Sequence, residues 1–425
     1  MSPVRRIPLP GGVGIEIVIL EWSMVKMETL QQIKSRAHEI RDEIISIRHH
    51  IHSHPELSFQ EKETAAFISQ KLSEWGIAHE THIGGFGIVG MIKSEIQNPK
   101  SKIRCIALRA DMDALPINEQ NNVGYKSQQP GVMHACGHDV HSSALLGALK
   151  ILNEMKNEFS GTIKFIFQPG EEKLPGGAKK MIEAGVLENP KPDLIIAQHV
   201  FTPLHVGTAG FRSGKYMASA DELYFTVKGK GGHAAEPHHV INPLYTAAKL
   251  LLELEKLSDE VSQSSIPTVL AFGKITGAGA TNVIPDQVTI DGTLRTMDEA
   301  WRFTIHDRLK QLAEEFSSKN QSGAQLRIEI GYPCLTNDEH TTSRSRSFAE
   351  DYLGSENVKD LDIRMASEDF AFFSEKIPAC FYRIGTGNPA KGITSGVHTP
   401  TFNIDEDALE LAAGMMAYIT LRHLA

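Results

Sequence analysis

Residues 133–152, MHACGHDVHSSALLGALKIL, place a polar segment directly before an apolar run with helical periodicity. Two short apolar runs flank this helix: IRCIALRA at 103–110 precedes it, and GTIKFIFQ at 161–168 follows it. Both are typical of strands. Strands that alternate with helices indicate an α/β layer with a largely parallel sheet. The segment before the helix therefore lies where such a sheet places its functional loops, at the carboxyl ends of its strands.

The pattern changes between residues 213 and 330. Strand-like runs and two long helical runs follow one another here, at 221–231, 242–259, 267–276, 282–295, 298–317 and 325–331. The order β–α–β–β–α–β is that of a small ferredoxin-like α+β unit. Beyond it the α/β pattern resumes. We therefore predict an α/β domain with a mixed, largely parallel sheet flanked by helices, formed by residues 1–212 and 331–425, and an α+β domain of residues 213–330 inserted between its two parts.

Length and composition restrict the class of protein. A chain of 425 residues is long enough for two domains with separate cores, and 41% hydrophobic with 22% charged residues is typical of a soluble globular protein. A net charge of −9 argues against nucleic acid as a partner. No run reaches the roughly 20 apolar residues of a membrane span, so we expect no membrane partner. Four scattered cysteines predict no disulfide framework and a cytoplasmic location.

The first 26 residues read as a separate segment. Two arginines precede an apolar run, as in a secretion signal, but Glu16 interrupts that run and no small-residue cleavage site follows. We therefore expect residues 1–26 to be an additional, non-secretory leader.

Side chains that bind metals collect where the predicted strands end. They are Asp111 and Asp113 after the strand at 103–110, Cys136, His138 and Asp139 before the helix, Glu171 and Glu172 after the strand at 161–168, His199 at the end of a strand at 193–200, and His398 before the last helix. The ends of neighbouring strands meet at one edge of a sheet. A set of thiolate, imidazole and carboxylate ligands suits zinc, manganese, cobalt or nickel rather than calcium.

Each of these residues also has a simpler interpretation. A lone cysteine such as Cys136 is often a small buried hydrophobic residue, and a glutamate pair followed by Lys173 is typical of a solvated acidic turn. The combination favours a site, because Gly137 allows Cys136 and His138 to converge. Adjacent carboxylates repel each other unless a cation lies beside them. One glutamate can therefore bind a metal while the other acts as a general base.

Other catalytic classes fit the sequence less well. No G-x-S-x-G motif of a serine hydrolase is present, and HETH at 79–82 is one residue short of the zincin motif. A thiol enzyme with Cys136 as nucleophile and His138 as base is an alternative, but it leaves the glutamate pair, His199 and His398 without a role. A non-enzymatic metal-binding protein is the main alternative to an enzyme.

A series of motifs resembles a known family. In chain order they are IRHHIHSHPELSF (47–59), LRADMDALP (108–116), HACGHD (134–139), FQPGEE (167–172), GGHAAEPH (231–238), TNVIPD (281–286), GTLRT (292–296), SEDFAFF (367–373) and GVHTP (396–400). Over residues 40–420 they resemble the aminoacylase–carboxypeptidase family of two-metal amidohydrolases. The branch is that of hippurate hydrolases, N-acyl-amino-acid deacetylases and indole-acetyl-amino-acid hydrolases, because Arg109 stands where the peptidases have a histidine ligand.

The resemblance implies a role for particular residues. Two divalent metal ions per chain (Zn, Mn, Co or Ni) would be bound by Cys136, His138, Glu172, His199 and His398. Glu171 would be the general base, and Asp111 a carboxylate that orients the site. His233 would polarise the scissile carbonyl from the partner subunit, while Asn282 and Arg295 would hold the substrate's carboxylate.

The resemblance also implies an activity and an assembly. The inserted domain would mediate dimerisation and cover the active site, so we expect a homodimer or a dimer-based oligomer. The activity would be hydrolysis of the amide bond of small N-acyl-amino acids with an acetyl, benzoyl or indole-acetyl group. A metal-dependent carboxypeptidase or dipeptidase, or a metal-binding relative that has lost catalysis, are the alternatives.

Overall fold

The computed structural model describes residues 14–94, 96, 104–320 and 322–425 of the chain. Over these residues the chain forms ten α-helices: α1 Gly14–Glu39, α2 Arg41–Ser53, α3 Lys62–Glu74, α4 His138–Glu154, α5 Gly177–Glu183, α6 Pro243–Ser262, α7 Glu299–Lys319, α8 Glu339–Leu353, α9 Ala371–Ser374 and α10 Asp407–Leu424. Of the expected leader at 1–26, residues 1–13 lie outside the described residues, and the backbone of the rest belongs to α1. Ile40 separates α1 from α2.

The strands are short and belong to four sheets. In chain order they are β1 His79–Ile83, β2 Gly87–Lys93, β3 Cys105–Asp111, β4 Thr162–Gln168, β5 Leu194–His205, β6 Ala209–Phe211, β7 Gly214–Met217, β8 Asp221–Lys228, β9 Gly232–His233, β10 Thr268–Thr276, β11 Val283–Ile284, β12 Gln287–Thr296, β13 Gly323–Ile330, β14 Leu335–Asn337, β15 Val358–Asp360 and β16 Ala379–Gly387.

The largest sheet has the order β1-β2-β4-β3-β5-β16-β6-β15. Its centre, from β4 through β3 and β5 to β16, is parallel, whereas β1, β2 and the β16–β6 pair are antiparallel. Helices cover both faces: Leu108 of β3 packs in the core formed with α4 and α10, and Ala107 packs on the opposite side with α5 and α9. The predicted α/β fold with a mixed, largely parallel sheet flanked by helices is confirmed.

A second sheet lies within the region that the sequence sets apart. Its strands have the order β10-β12-β8-β13, every neighbouring pair is antiparallel, and α6 and α7 pack on it around a hydrophobic core of their own. The elements follow one another as β–α–β–β–α–β. The single strand expected at 282–295 is interrupted, because Pro285 has no N–H to donate; β11 pairs with β9, and β12 begins at Gln287.

The parallel centre of the large sheet positions the candidate site. β3 ends at Asp111, β4 ends just before Glu171, and α4 begins at His138 beside them. The strand expected at 193–200 is longer than predicted: β5 continues to His205, so His199 lies within the strand rather than at its end. None of the helices in the described part of the chain combines the length and the apolar character that a membrane span requires.

The crossing of α4 with α2 and α10 gives a test of this packing. A Cβ atom on Gly147 would lie 2.5 Å from Ile44 Cδ1 and 3.0 Å from Ala413 Cβ. We expect Gly147→Leu to lower the free energy of unfolding by about 1–3 kcal/mol, because the extra side chain overpacks a closed contact. Urea denaturation would measure the change. Gly124→Leu is the control, because no atom lies within 4 Å of a Cβ built there; equal effects at both positions would contradict the packing argument.

Candidate metal centre

Cys136 and His138 converge because of the glycine between them. Gly137 has a φ of +85°, and a Cβ atom there would lie 2.5 Å from Val200 Cγ2. Only glycine adopts this left-handed turn in contact with β5 without strain. The turn leads into the first residue of α4, His138, and leaves the Cys136 thiol facing the middle of β5, where His199 Nε2 lies 3.5 Å from Cys136 Sγ.

Asp113 connects the three loops of the site. Its Oδ1 accepts hydrogen bonds from the backbone N–H of Glu171, at 3.0 Å, and from His138 Nδ1, at 3.2 Å. Its Oδ2 accepts from the backbone N–H of Glu172, at 3.0 Å, and from Ser58 Oγ, at 2.6 Å. One buried carboxylate therefore fixes the glutamate pair and the tautomer of His138, leaving His138 Nε2 free to bind a cation.

His199 and His141 have different tautomers and therefore different uses. His199 Nδ1 donates to the carbonyl of Val200 at 2.8 Å, so the nitrogen that faces Cys136, Nε2, carries a lone pair. His141 Nδ1 donates to Asp111 Oδ1 at 2.6 Å, and its Nε2 accepts from the N–H of Val200 at 2.9 Å. Both nitrogens of His141 are engaged, so its role is to hold Asp111 and β5, whereas His199 can act as a ligand.

His398 approaches the same point from the loop before α10. Its Nε2 lies 3.3 Å from Cys136 Sγ and 3.1 Å from Glu172 Oε1. Its backbone has a φ of +62°, which is uncommon for a residue with a side chain, and its N–H donates to the carbonyl of Ala135 at 2.7 Å. The imidazole is half exposed, which places it at the mouth of the site.

Five ligand atoms of the kinds expected for a transition metal therefore lie together. Cys136, His138 and His199 form one group, and Cys136, Glu172 and His398 form a second; within each group the ligand atoms lie within 4.8 Å of one another. Buried Glu172 Oε1 has no hydrogen-bond partner among the described residues, although imidazole nitrogens surround it. A thiolate shared between two such groups suits a pair of divalent ions, so the residues present fit the metals that the sequence predicts.

The electrostatics of the site also favour cations. Burial, Glu368 and Glu172 raise the pKa of Glu171 well above its ordinary value. Burial lowers the pKa of His138, but the carboxylates of Asp111 and Asp113 outweigh it and raise that pKa to about 10. Both shifts report an excess of buried negative charge, which an added positive charge would offset.

Arg109 is a permanent cation that lies among the buried acids of this region. It donates to Gln168 Oε1 at 2.9 Å, to Asp111 Oδ2 at 2.6 Å and to Asp369 Oδ1 at 2.9 Å, and it lies 3.1 Å from Glu368 Oε1. Its guanidinium therefore holds Asp111 in place against the acids of the SEDF segment. The structure thus brings together seven of the predicted residues: Asp111, Cys136, His138, Glu171, Glu172, His199 and His398.

The three predicted site residues within 213–330 lie in two places. Arg295 lines a cavity of about 1130 Å³ together with Cys136, Glu171 and His398. His233 and Asn282 do not line it; they are exposed and lie side by side, where the carbonyl of Asn282 accepts from the N–H of Ala234 at 3.1 Å. Within one chain, His233 and Asn282 are therefore separate from the metal centre.

Sequence reasoning assigned no role to several residues of the site. The sequence identifies Asp113 only as one of several carboxylates at strand ends, and it identifies Arg109 only as the residue that replaces a histidine ligand. The pairing of Glu368 and Asp369 with Arg109 joins residues more than 250 positions apart, and no local pattern reports it. The sequence does contain a signal that His141 lies near the site, because His141 follows His138 by three positions and therefore lies on the same face of the helix.

Comparisons with known proteins agree on one family. Residues 107–422 match the model of Peptidase family M20/M25/M40. The IAA-amino acid hydrolase ILR1-like 4 of Arabidopsis thaliana is 35% identical over 394 residues, which cover 92% of this chain and 88% of that protein. The N-acetyl-L-cysteine deacetylase of Bacillus subtilis is 37% identical over 385 residues, which cover 91% of this chain and 89% of that protein. A crystal structure from Bacillus subtilis, described as a dinuclear metal binding peptidase from the M20 family, is 32% identical with a TM-score of 0.75 and covers 91% of this chain and 99% of its own.

The position of Asp113 predicts a loss of metal binding when it is removed. In Asp113→Ala the N–H groups of Glu171 and Glu172 and the Nδ1 of His138 lose their common acceptor. We expect the affinity for zinc or manganese to fall by about 10- to 100-fold, as measured by calorimetric titration of the chelator-stripped protein. Asp338→Ala is the control, because Asp338 caps α8 away from the site. Unchanged affinity in Asp113→Ala would show that the ligands keep their positions without it.

Proposed function

Because the chain belongs to Peptidase family M20/M25/M40 and holds five ligand side chains beside a buried glutamate, we propose that it is a metal-dependent amidohydrolase that cleaves the amide bond of N-acyl-L-amino acids. The observation that carries this proposal is the location of Glu171: its Oε2 lies 3.9 Å from His138 Nε2, at the wall of the cavity and beside both groups of ligand atoms. The hydrolase and deacetylase named above act on small conjugates of this class by their names, which supports the same chemistry here.

Glu171 is proposed as the general base and acid. Two divalent ions, when bound by Cys136, His138, Glu172, His199 and His398, would lower the pKa of water and polarise the scissile carbonyl. The Glu171 carboxylate takes a proton from the attacking water and returns it to the leaving amine. Its surroundings support this use, since Tyr332 Oη donates to its backbone carbonyl at 2.5 Å and Asp113 holds its backbone N–H.

His233 is proposed to act on the substrate across a dimer. Its Nδ1 accepts from the N–H of Ala235 at 3.1 Å, so a neutral imidazole carries its proton on the exposed Nε2. Such an N–H can donate to the oxyanion that forms during amide hydrolysis. Because His233 is separate from the metal centre of its own chain, we propose that it serves the partner's site, with Asn282 beside it. Arg295 would contribute to binding the substrate's carboxylate from the cavity wall.

The inserted domain, residues 213–330, is proposed to mediate dimerisation and to cover the site. β10 is an edge strand of its sheet and exposes Val269 and Ile275. α6 packs beside β10 and exposes Tyr245, with 73% of its surface accessible, and Leu252, with 57%. An unpaired edge strand next to an apolar helix face is typical of a surface that another chain covers.

The cytoplasm is proposed as the location. All four cysteines, Cys105, Cys136, Cys334 and Cys380, are free and buried. A reducing compartment keeps the Cys136 thiol available as a metal ligand, whereas an oxidising one would favour its loss.

A thiol hydrolase and a non-catalytic metal-binding protein are the competing functions. Burial, followed by Glu172 and Glu171, raises the pKa of the Cys136 thiol well above its ordinary value, the opposite of the shift that a nucleophilic cysteine has. A protein that only binds metal would have no use for Glu171, which is not needed as a ligand. An assay for hydrolysis would distinguish the proposed amidohydrolase from the non-catalytic metal-binding protein.

The general-base assignment is tested by Glu171→Gln. We expect this variant to bind the metals with unchanged stoichiometry and to lose about 10²- to 10⁴-fold in kcat, because it can no longer accept a proton. The assay would follow release of free amine from N-acetyl-, N-benzoyl- and indole-acetyl-amino acids after zinc, manganese, cobalt or nickel is restored. A fully active variant would eliminate Glu171 as the base, and absence of hydrolysis by the wild type with every metal would favour the non-catalytic alternative.

The dimer proposal predicts a joint loss of assembly and activity. In Leu252→Glu a charge replaces an exposed apolar side chain on α6, so we expect a shift from dimer to monomer in light scattering after size exclusion. We also expect kcat to fall by at least about tenfold, because the partner's imidazole is withdrawn. Phe303→Glu is the matched control: Phe303 is 47% exposed on α7, which packs on the β13 side of the same sheet. A monomeric variant with full activity would contradict the role of His233.

A further inference from the structure

Two arginines of the cavity wall, one buried and one half-buried, form no ion pair with an acid among the described residues. Arg383 is 3% exposed, and it donates to the hydroxyl of Tyr216 at 2.9 Å and to Met217 Sδ at 3.2 Å. Arg364 is half-buried, and its Nε is buried without a hydrogen-bond partner among the described residues. In the part of the chain that the structure describes, neither guanidinium forms an ion pair with a carboxylate. Buried charges are ordinarily paired, because desolvation without compensation is costly.

The two guanidiniums lie close to each other and to the metal centre. Both lie near the ring of Phe201: the centroid of that ring is 4.7 Å from Arg364 Cζ and 6.0 Å from Arg383 Cζ. Burial and the charge of Arg383 lower the pKa of Arg364, as expected for two cations that share one environment. In the sheet, Arg383 of β16 is the register partner of His199 of β5, so the arginine stands directly beside a residue that would bind metal.

Their backbones are held rigidly. Arg383 lies within the central part of the large sheet, and Arg364 donates its backbone N–H to the carbonyl of Tyr216 at 2.9 Å and accepts at its own carbonyl from Ala218 at 3.0 Å. Both arginines line the cavity of about 1130 Å³. Guanidinium groups on rigid elements are well suited to bind a carboxylate, through paired and charge-assisted hydrogen bonds.

Three acids of the same cavity already pair with cations elsewhere: Asp221 with Arg302 at 2.5 Å, Asp291 with Lys274 at 3.0 Å and Glu368 with Arg109 at 3.1 Å. Glu171 and Glu172 lie among the candidate metal ligands instead, and the described residues show no ion pair between either of them and Arg364 or Arg383. The carboxylate of a ligand could therefore supply the negative charge that the two arginines lack.

We propose that Arg364 and Arg383 form a carboxylate subsite in the cavity, which binds a carboxylate of the substrate beside the metal centre. The subsite is distinct from Arg295, whose guanidinium donates to Ser367 Oγ at 3.1 Å. The proposal rests on the proposed function, since it assumes an N-acyl-amino acid as the ligand. Such a ligand offers two sources of carboxylate: the α-carboxylate of the amino acid, and a second carboxylate on the acyl group or the side chain.

Pairs of acids and amides identify the carboxylate that the subsite binds. N-acetylglycine and N-acetylglycinamide differ only at the α-carboxylate. N-acetylglutamate and N-acetylglutamine differ only at the side chain, and N-succinylglycine and its terminal amide differ only at the acyl group. For at least one pair we expect the wild-type protein to prefer the acid by about 10- to 100-fold in kcat/KM, the range for hydrogen bonds to a charged group.

Arg364→Gln is the main variant, because its partly exposed position makes misfolding less of a concern than at Arg383. We expect it to raise KM for the preferred acid by about the same 10- to 100-fold factor, with kcat and the kinetics of the matching amide nearly unchanged. Arg383→Lys, which keeps the charge but loses the fork, should give a smaller change in the same direction. Arg344→Gln is the matched control: Arg344 also lies over an aromatic ring, that of Phe348, and forms no ion pair with a carboxylate among the described residues, but it lies on α8 outside the cavity.

A binding measurement separates this proposal from the proposed function. Dissociation constants for the same acids and amides would be measured by calorimetry on the metal-loaded Glu171→Gln protein, with and without Arg364→Gln. Acid binding that depends on Arg364 would support the subsite even if the wild type hydrolysed none of the compounds. The pair that shows the effect identifies the source of the carboxylate. Equal effects of Arg364→Gln on acid and amide, or no preference for any acid in binding and turnover, would overturn the proposal.

Discussion

The structure of this protein depends on a concentration of buried carboxylates at one edge of its central sheet. Asp111, Asp113, Glu171, Glu368 and Asp369 are all at most 6% exposed there. Burial raises the pKa of an acid unless positive charge or hydrogen-bond donors compensate. Arg109 compensates part of this charge, and the backbone N–H groups that reach Asp113 compensate another part. The negative charge around Glu171 and Glu172 is not compensated in this way, and the candidate ligand atoms lie around these two residues.

The division between compensated and uncompensated acids follows from how each loop is connected. Asp111 ends β3 and is held by Arg109 on one side and by His141 on the other, so its charge is neutralised within the protein. Glu172 Oε1 accepts no hydrogen bond among the described residues, although His398 Nε2 lies 3.1 Å from it. Neighbouring carboxylates at one sheet edge thus have different roles, and the difference is set by hydrogen-bond partners rather than by residue type. A cation would therefore be better placed beside Glu172 than beside Asp111.

The sequence predicts the parts of this arrangement that are local. Strand and helix periodicity was sufficient to locate β3, β4, β5 and α4, and the rule that loops meet at the carboxyl edge was sufficient to group Cys136, His138, Glu171 and His199. The sequence could not predict the partners of Arg109, or that Arg383 forms no ion pair within the described part of the chain, because these depend on which distant strands become neighbours. β16 lies beside β5 only because the chain returns from the inserted region into the middle of the sheet. The prediction of a single strand at 282–295 was wrong. Pro285 is the residue in the sequence that indicates the break between β11 and β12.

The cavity has opposite electrostatic requirements on its two sides, and this contrast constrains what can occupy it. On the side of Glu171 and Glu172, negative charge is in excess and calls for cations. On the side of Arg364 and Arg383, which begins at the register partner of His199, positive charge is in excess and calls for an anion. A neutral ligand would satisfy neither side, and a carboxylate alone would be drawn towards the metals as well as the arginines. A ligand with a carboxylate a few bonds away from a polarisable carbonyl satisfies both at once, because the carboxylate can bind the guanidiniums while the carbonyl faces Glu171. An N-acyl-amino acid has this arrangement of groups, so the geometry behind the proposed amide hydrolysis would also select which end of the substrate faces Glu171.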